Sequence, residues 1–370
     1  VVLQAAARDQ QILPSNTNKP RLGISPDGIF FMTASDLPSP SAASAVVIGL
    51  SAVVVAVQGH EPKVFIVRGA EHALAAGVTS PNEDGDALPF GPFDPVQHKT
   101  LEEGLRIWVR DQTPLSPGYF EQLYTFGNRG RYAGQRDEAK RVISVGYLAL
   151  THEKTSAEKS ERVFFGSWYD YFPWEDWRDG KPRILQDAIE PGLKRWVAAG
   201  ETSDEKEHRH LRAQVCFGTG GAAWDEEKVL ERYELLYGAN LVYEAIRDKG
   251  MKVDYVLVPG RSMLYDHRRI LATAMGRLRG KLKYRPVVFE LMPSEFTLLN
   301  LQKTVEAIVG HRLHKQNFRR LVEGSGMVEE VAGKKSAEAG GRPAALFRFR
   351  RDVLLERPAP GMKLSASLGA

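Results

Sequence analysis

The alternation of apolar and polar positions sets the first reading of this chain. A run rich in β-branched residues from Val46 to Val57 is too short to span a membrane and predicts a buried strand. A turn at Gln58–Pro62 leads to a second strand over Lys63–Arg68. Leu101, Leu105, Trp108 and Val109 recur at helical spacing and predict a helix over Lys99–Gln112. Thr100 can cap it, Glu102 and Glu103 suit its first turn, and Pro114 and Pro117 stop it. Strands are expected at Glu121–Phe126 and Val142–Thr151, and long helices at Trp224–Lys249 and Tyr265–Leu282. The last of these helices is a candidate for joining domains or subunits. Gly77–Asp94 reads as loop, and residues 1–44, with Pro14, Pro20, Pro26, Pro38 and Pro40, as a partly disordered extension holding one strand at Gly28–Met32.

Near the C-terminal end the helical period returns with a different chemistry. Thr297 can cap a helix over Leu298–Val309 whose apolar face is Leu301, Val305 and Ile308, with Leu298 at its start. Gly310 ends it, and His311, Arg312 and Leu313 lead to a second helix beginning at His314. There Phe318, Leu321 and Val322 turn inward, leaving His314, Lys315, Gln316, Asn317, Arg319 and Arg320 outside. Two helices, a short glycine turn and a basic second helix with amides near its start are the order of a helix-turn-helix. Asn and Gln match an adenine edge, and Arg forks onto guanine or phosphate. Short strands at Met327–Val331 and Ala344–Phe349 flank a loop bearing Lys334, Lys335 and Arg342, which reads as a wing over phosphate or the minor groove. Thr297 is grouped with these residues as a candidate DNA contact.

Charge strengthens this reading. From Asp266 onward 20 Lys and Arg face 10 Asp and Glu, a surplus of ten positive charges. Since the chain as a whole carries +4, the preceding 265 residues carry −6. A basic end behind an acidic body points to a polyanion partner, double-stranded DNA first. The apolar share of 43% is that of an ordinary globular protein, and no signal peptide or membrane span is expected. The lone Cys216 cannot form an internal disulfide and reads as a buried small side chain in a reducing cytoplasm. Trp168, Trp174, Trp177 and Trp196 fall in one stretch, which reads as a hydrophobic plug in preference to a ligand platform.

Four stretches together carry a family resemblance. They are Asp266–Leu271 with Arg277–Leu282; Phe296–Gln302; Lys315–Arg320; and Glu121–Gly127 with Arg131 and Ile143–Tyr147. In this order the chain resembles the NrtR family of Nudix-related transcriptional regulators of NAD metabolism, nearest the longer alphaproteobacterial type called NadQ. The resemblance implies an α+β fold: a Nudix-like α/β/α sandwich with a mixed sheet, followed by a C-terminal winged helix-turn-helix. The expected domains are the extension 1–44, a sensing domain 45–285 with an inserted aromatic and helical segment at about 154–249, and a DNA-binding domain 286–370.

A Nudix hydrolase holds divalent metal with glutamates on one helix face. Aligning Thr113, Pro114 and Leu115 with the end of that motif puts Ile107 and Trp108 where Arg and Glu belong, and Asp111 and Gln112 at the later Glu pair. One leftover carboxylate holds a hard cation poorly, so no catalysis, no metal and no required cofactor are expected. The resemblance implies instead an adenine-nucleotide effector (ADP-ribose, NAD or ATP), with Arg106, Gln122, Tyr124, Phe126 and Arg131 as candidate contacts. It also implies a homodimer that represses NAD biosynthesis or salvage genes at a palindromic operator. The competing readings are an active Nudix pyrophosphohydrolase with a DNA-binding appendage, and a non-enzymatic RNA- or protein-binding module.

Overall fold

β1 (Ala45–Gln58) buries both of its faces, and the rest of the fold follows from that. Leu50, Ala52 and Val54 enter one apolar cluster, whereas Val53 and Val55 enter another on the opposite face. A strand with two buried faces needs cover on both sides, which makes a layered sandwich. The structure is a computed structural model and describes residues 45–68, 85–128, 140–152, 162–336 and 343–356. The expected extension 1–44, with its strand at Gly28–Met32, lies outside the described residues.

Around β1 stand β2 (Glu61–Arg68), β3 (Asp86–Ala87), β4 (Phe90–Pro92), β5 (Tyr119–Phe126), β6 (Lys140–Leu150) and β7 (Val163–Ser167). The path runs β3-β2-β1-β6-β5, with β4 added to β1 and β7 to β2. β1 and β6 are parallel from Ala45↔Lys140 to Val55↔Leu150, and the other pairs are antiparallel, so the sheet is mixed. β3 and β4 fall within the stretch expected to be loop. They are two and three residues long, too short for a period to show in the sequence.

Helix α1 (Leu101–Gln112) covers the first face with Leu105 and Val109, and Thr100 caps it by accepting the Glu103 N–H at 3.0 Å. The short α2 (Trp168–Tyr171), α3 (Glu190–Ala198), α4 (Ser203–Phe217), α5 (Val229–Gly238) and α6 (Tyr243–Lys249) follow. The helix expected over Trp224–Lys249 is therefore two helices. The break comes at Asn240, whose φ of +58 is a left-handed conformation that Asn tolerates and a helix does not. Trp168 and Trp174 are wholly buried, and the aromatic stretch is a plug in the main core. Cys216 is buried too, and burial pushes its thiol pKa up.

α7 (His267–Leu282) is buried on nearly every side and packs on the second sheet face through Ile270 and its neighbours. Its opening residues are pegs. His267 Nδ1 accepts the Leu88 N–H at 3.1 Å, while its Nε2 lies 3.4 Å from Ser51 Oγ. Burial drops its pKa to about 3, so the ring is neutral and ties β1 to the link between β3 and β4. Arg268 donates to the Tyr171 carbonyl and pairs with Glu244 at 3.0 Å, both groups buried. Arg269 pairs with Glu234 and Asp266 and covers the Phe126 ring.

Beyond α7 lie α8 (Leu298–Val309), α9 (Lys315–Ser325), the ribbon β8 (Val328–Lys335) and β9 (Ala345–Phe349), and α10 (Val353–Glu356). Phe318, Val322 and Met327 of this region belong to the same apolar cluster as Val53 and Val55. The described residues correspondingly form one compact unit. The architecture is a mixed sheet covered by helices, continued by a helix pair and a two-stranded ribbon.

Candidate functional site

Two helices and a ribbon build the basic end. Thr297 accepts the Asn300 N–H at 3.1 Å and caps α8. At 4% exposure its side chain serves the helix, which removes it from the outward face on which it was grouped. Gly310 follows with φ +83, and a Cβ there would lie 2.5 Å from the Glu175 carbonyl oxygen, so the turn admits only glycine. Then α9 buries Phe318 and Val322 and exposes His314, Lys315, Gln316, Asn317, Arg319 and Arg320. Arg319 pairs with Glu323 at 2.8 Å, and Arg320 Nη2 lies 3.5 Å from Asn317 Oδ1. These are exposed contacts, readily exchanged for others.

β8 and β9 pair antiparallel from Val328↔Phe349, and Phe296 adds a third backbone edge by exchanging two hydrogen bonds with Phe347. Phe289 stacks on Phe349 at 4.3 Å beneath the ribbon. Lys334 and Lys335 are exposed on β8, Lys334 pairing with Glu295 at 2.6 Å. Arg342 lies outside the described residues.

Sequence reasoning missed what fixes the turn between α8 and α9. Glu306 is buried, and its Oε1 accepts Gln302 Nε2 at 2.8 Å and the Leu313 N–H at 3.0 Å. Lys303 reaches its Oε2 at 3.2 Å. Burial by itself would raise the Glu306 pKa, but the Leu313 amide, Gln302 and Lys303 outweigh it and hold the group below its usual value. The available signal was the Gln302 and Glu306 pair at i, i+4 spacing on the helix. A depressed folded pKa gives stability that is present above the unfolded carboxylate pKa and lost as pH falls through the folded one. We expect Glu306→Gln to cost about 1–3 kcal/mol at pH 7 by urea unfolding, with the gap from the unaltered protein closing toward acid pH.

The effector candidates fall on two faces of the sheet. β5 has a register shift between Gln122 and Tyr124, with Gln122 opposite Tyr147 and Tyr124 opposite Gly146. Leu123 is the extra residue of a bulge, and it flips the faces of everything after it. Gln122 therefore shares the α1 face with Tyr147, whose hydroxyl donates to its Oε1 at 3.3 Å. Arg106 is on this side too, 4.0 Å over the Phe120 ring, paired with Glu102 at 2.8 Å and donating to the Pro117 carbonyl. Tyr124 and Phe126 lie together on the α7 face, their rings 5.2 Å apart. Tyr124 is 60% exposed, whereas Phe126 is buried under Arg269. Arg106 and Gln122 thus share the α1 face, and Tyr124 and Phe126 lie on the other. Arg131 lies outside the described residues.

The positions of the hydrolase motif have other work. Trp108 Nε1 donates to the Pro92 carbonyl at 2.9 Å, and a Cβ on Gly91 would collide with its indole. Gln112 clips the Phe90 backbone twice, accepting its N–H at 3.0 Å and donating to its carbonyl at 2.6 Å. Asp111 points outward beside Arg110. Trp108 and Gln112 thus fix α1 to β4. Among the described residues no group of three His, Cys, Asp or Glu is placed to hold a metal. No described helix is long and apolar enough to cross a membrane.

Residues 288–349 match the family model of the NrtR DNA-binding winged helix domain. Over 87 residues the chain is 45% identical to an ADPR responsive transcriptional repressor NtrR of Acinetobacter baylyi. That match takes in 24% of this chain and 34% of the relative, about a third of its length. The structure of Shewanella oneidensis NrtR complexed with a 27mer DNA is similar at a TM-score of 0.49 and 20% identity, over 82% of this chain and 94% of that one. The NUDIX domain of the same protein complexed with ADP ribose gives 0.29 and 23%, over 44% and 99%. The C-terminal end is thus a DNA-binding winged helix of the NrtR type.

Proposed function

We propose that this chain, which ends in an NrtR-type winged helix, is a transcriptional repressor whose Nudix-like body senses ADP-ribose. The observation that carries the reading is the outer face of α9. Six polar or basic side chains stand in solvent there, opposite Phe318, Leu321 and Val322, beside the ribbon that carries Lys334 and Lys335. In this reading Lys315, Gln316 and Asn317 at the helix start meet base edges, and Lys334 and Lys335 meet phosphate.

Sensing in place of hydrolysis is supported by the use of the motif positions as anchors, Trp108 on Pro92 and Gln112 on Phe90. The effector choice follows the name of the Acinetobacter baylyi relative, with NAD and ATP as alternatives. Arg106 and Gln122, on one face, offer a guanidinium for a diphosphate and an amide for a base edge. The operator is a palindrome upstream of NAD-biosynthesis or salvage genes, bound by a homodimer, because two half-sites supply the affinity.

The test is fluorescence anisotropy on a labelled promoter fragment of such an operon at fixed salt, followed by ADP-ribose, NAD and ATP in turn. Selective binding released by ADP-ribose is the expected result. Binding that no nucleotide alters would leave the body a scaffold, and equal affinity for a scrambled duplex would defeat the repressor reading.

A further inference from the structure

A helix leaves its last carbonyls without partners inside the helix. At the end of α8 those groups are taken by donors from distant parts of the chain. Tyr169 Oη donates to the Ala307 carbonyl at 2.8 Å, Arg279 Nε to Ile308 at 2.9 Å, and the Trp177 N–H to Gly310 at 2.6 Å. The next turn residue continues the grip. Arg312 Nε donates to the Arg178 carbonyl at 3.2 Å, and its guanidinium pairs with Asp179 at 3.3 Å. Four of these five contacts come from residues 168–179.

The same residues hold the sheet on their other side. Arg178 Nη1 donates to the His60 carbonyl at 3.0 Å, and Nη2 pairs with Glu61 at 2.9 Å, both at the β1–β2 turn. Tyr171 Oη donates to Asp86 on β3 at 2.7 Å. Arg268 binds the Tyr171 carbonyl from α7. Between the two ends, Trp168, Phe172 and Trp174 are buried, so the segment is braced along its length. A dozen residues of the insertion therefore touch both the sensing sheet and the turn that sets the angle of α9.

We propose that residues 168–179 are a strap that positions the DNA-reading helix against the sensing sheet, with Tyr169, Trp177 and Arg178 as positioning residues. The proposal rests on the repressor reading for its purpose, and on the hydrogen bonds alone for its mechanics. Coupling between two sites needs a physical connection that both can bias, and the strap provides it. It also gives the tryptophan-rich insertion a role beyond filling the core.

Two variants of the full chain cut the strap at opposite ends. Tyr169→Phe removes one hydroxyl on the helix side, and Arg178→Ala removes the anchor on the sheet side. Hydrogen exchange, read without DNA or ligand, is expected to rise about tenfold at the amides of 310–316 in both variants. Amides of 272–282 in α7 keep their protection. Preference for the operator over a scrambled duplex should fall by about tenfold, while scrambled-duplex affinity stays, because non-specific binding needs only the charges. Release of the operator by ADP-ribose should weaken in step. Unchanged exchange at 310–316 in both variants overturns the strap. So does exchange that rises equally in α7, which would mark these residues as general stabilisers. An unaltered protein that shows no operator preference sinks the repressor reading alone, because the exchange result stands without it.

Discussion

Glu175→Ala should lower the unfolding free energy by roughly 3–5 kcal/mol, the largest stability loss expected of any single substitution considered for this chain. Glu175 is wholly buried and holds two wholly buried arginines: Arg232 by a fork of 2.6 and 2.8 Å, and Arg279 at 2.7 Å. Burial would raise the carboxyl pKa, but the charges of Arg232 and Arg279 outweigh it and keep the group ionised. Removing the carboxylate leaves two guanidinium groups in the core without a counter-charge, held by the carbonyls of Cys216 and Asp225 for Arg232 and, for Arg279, by those of Ile308, Glu226 and Glu175 and the Tyr169 hydroxyl. An uncompensated buried charge costs far more than the pair contributes. Domains are stable by about 5–15 kcal/mol, so the variant should sit near the edge of folding at 25 °C. Urea unfolding followed by tryptophan fluorescence reads the loss directly. A change below about 1 kcal/mol would mean that water reaches the arginines, contrary to their burial.

Asn317→Ala should cost about 1–3 kcal/mol of operator binding and leave the affinity for a scrambled duplex nearly unchanged. Asn317 is exposed on the outer face of α9, away from Phe318 and Val322, so its truncation opens no cavity. Lys334→Ala makes the contrasting case. It should weaken binding to every sequence alike and reduce the slope of log affinity against log salt by about one. Salt titrations of both variants on operator and scrambled duplexes separate the roles. Equal losses on the two duplexes for Asn317→Ala would move base reading elsewhere on the helix.

Much of the outline was legible along the chain because it depends on local period and capping. The helix at Leu101–Gln112, its Thr100 cap, the helix pair around Gly310 and the ribbon after Gly326 all follow from residues close in sequence. The outward face of α9 was legible for the same reason, since helical spacing determines which side chains oppose Phe318 and Val322. The effector candidates fared differently. Gln122, Tyr124 and Phe126 alternate in sequence, and only the bulge at Leu123 sends Gln122 to one face and the other two to the opposite face. A bulge is a matter of pairing with β6, and nothing in the eight residues of β5 announces it.

By itself, then, the sequence determined the longer strands and helices outside the aromatic stretch, the burial of β1 and the outward chemistry of α9, because propensity, period and charge are properties of short stretches. The tertiary structure alone decided which side chains meet. It brought Glu175 to Arg279 across 104 positions and Tyr169 to Ala307 across 138, and clipped Trp108 and Gln112 to β4. Such contacts depend on how distant segments close around a common core, and no local pattern encodes them.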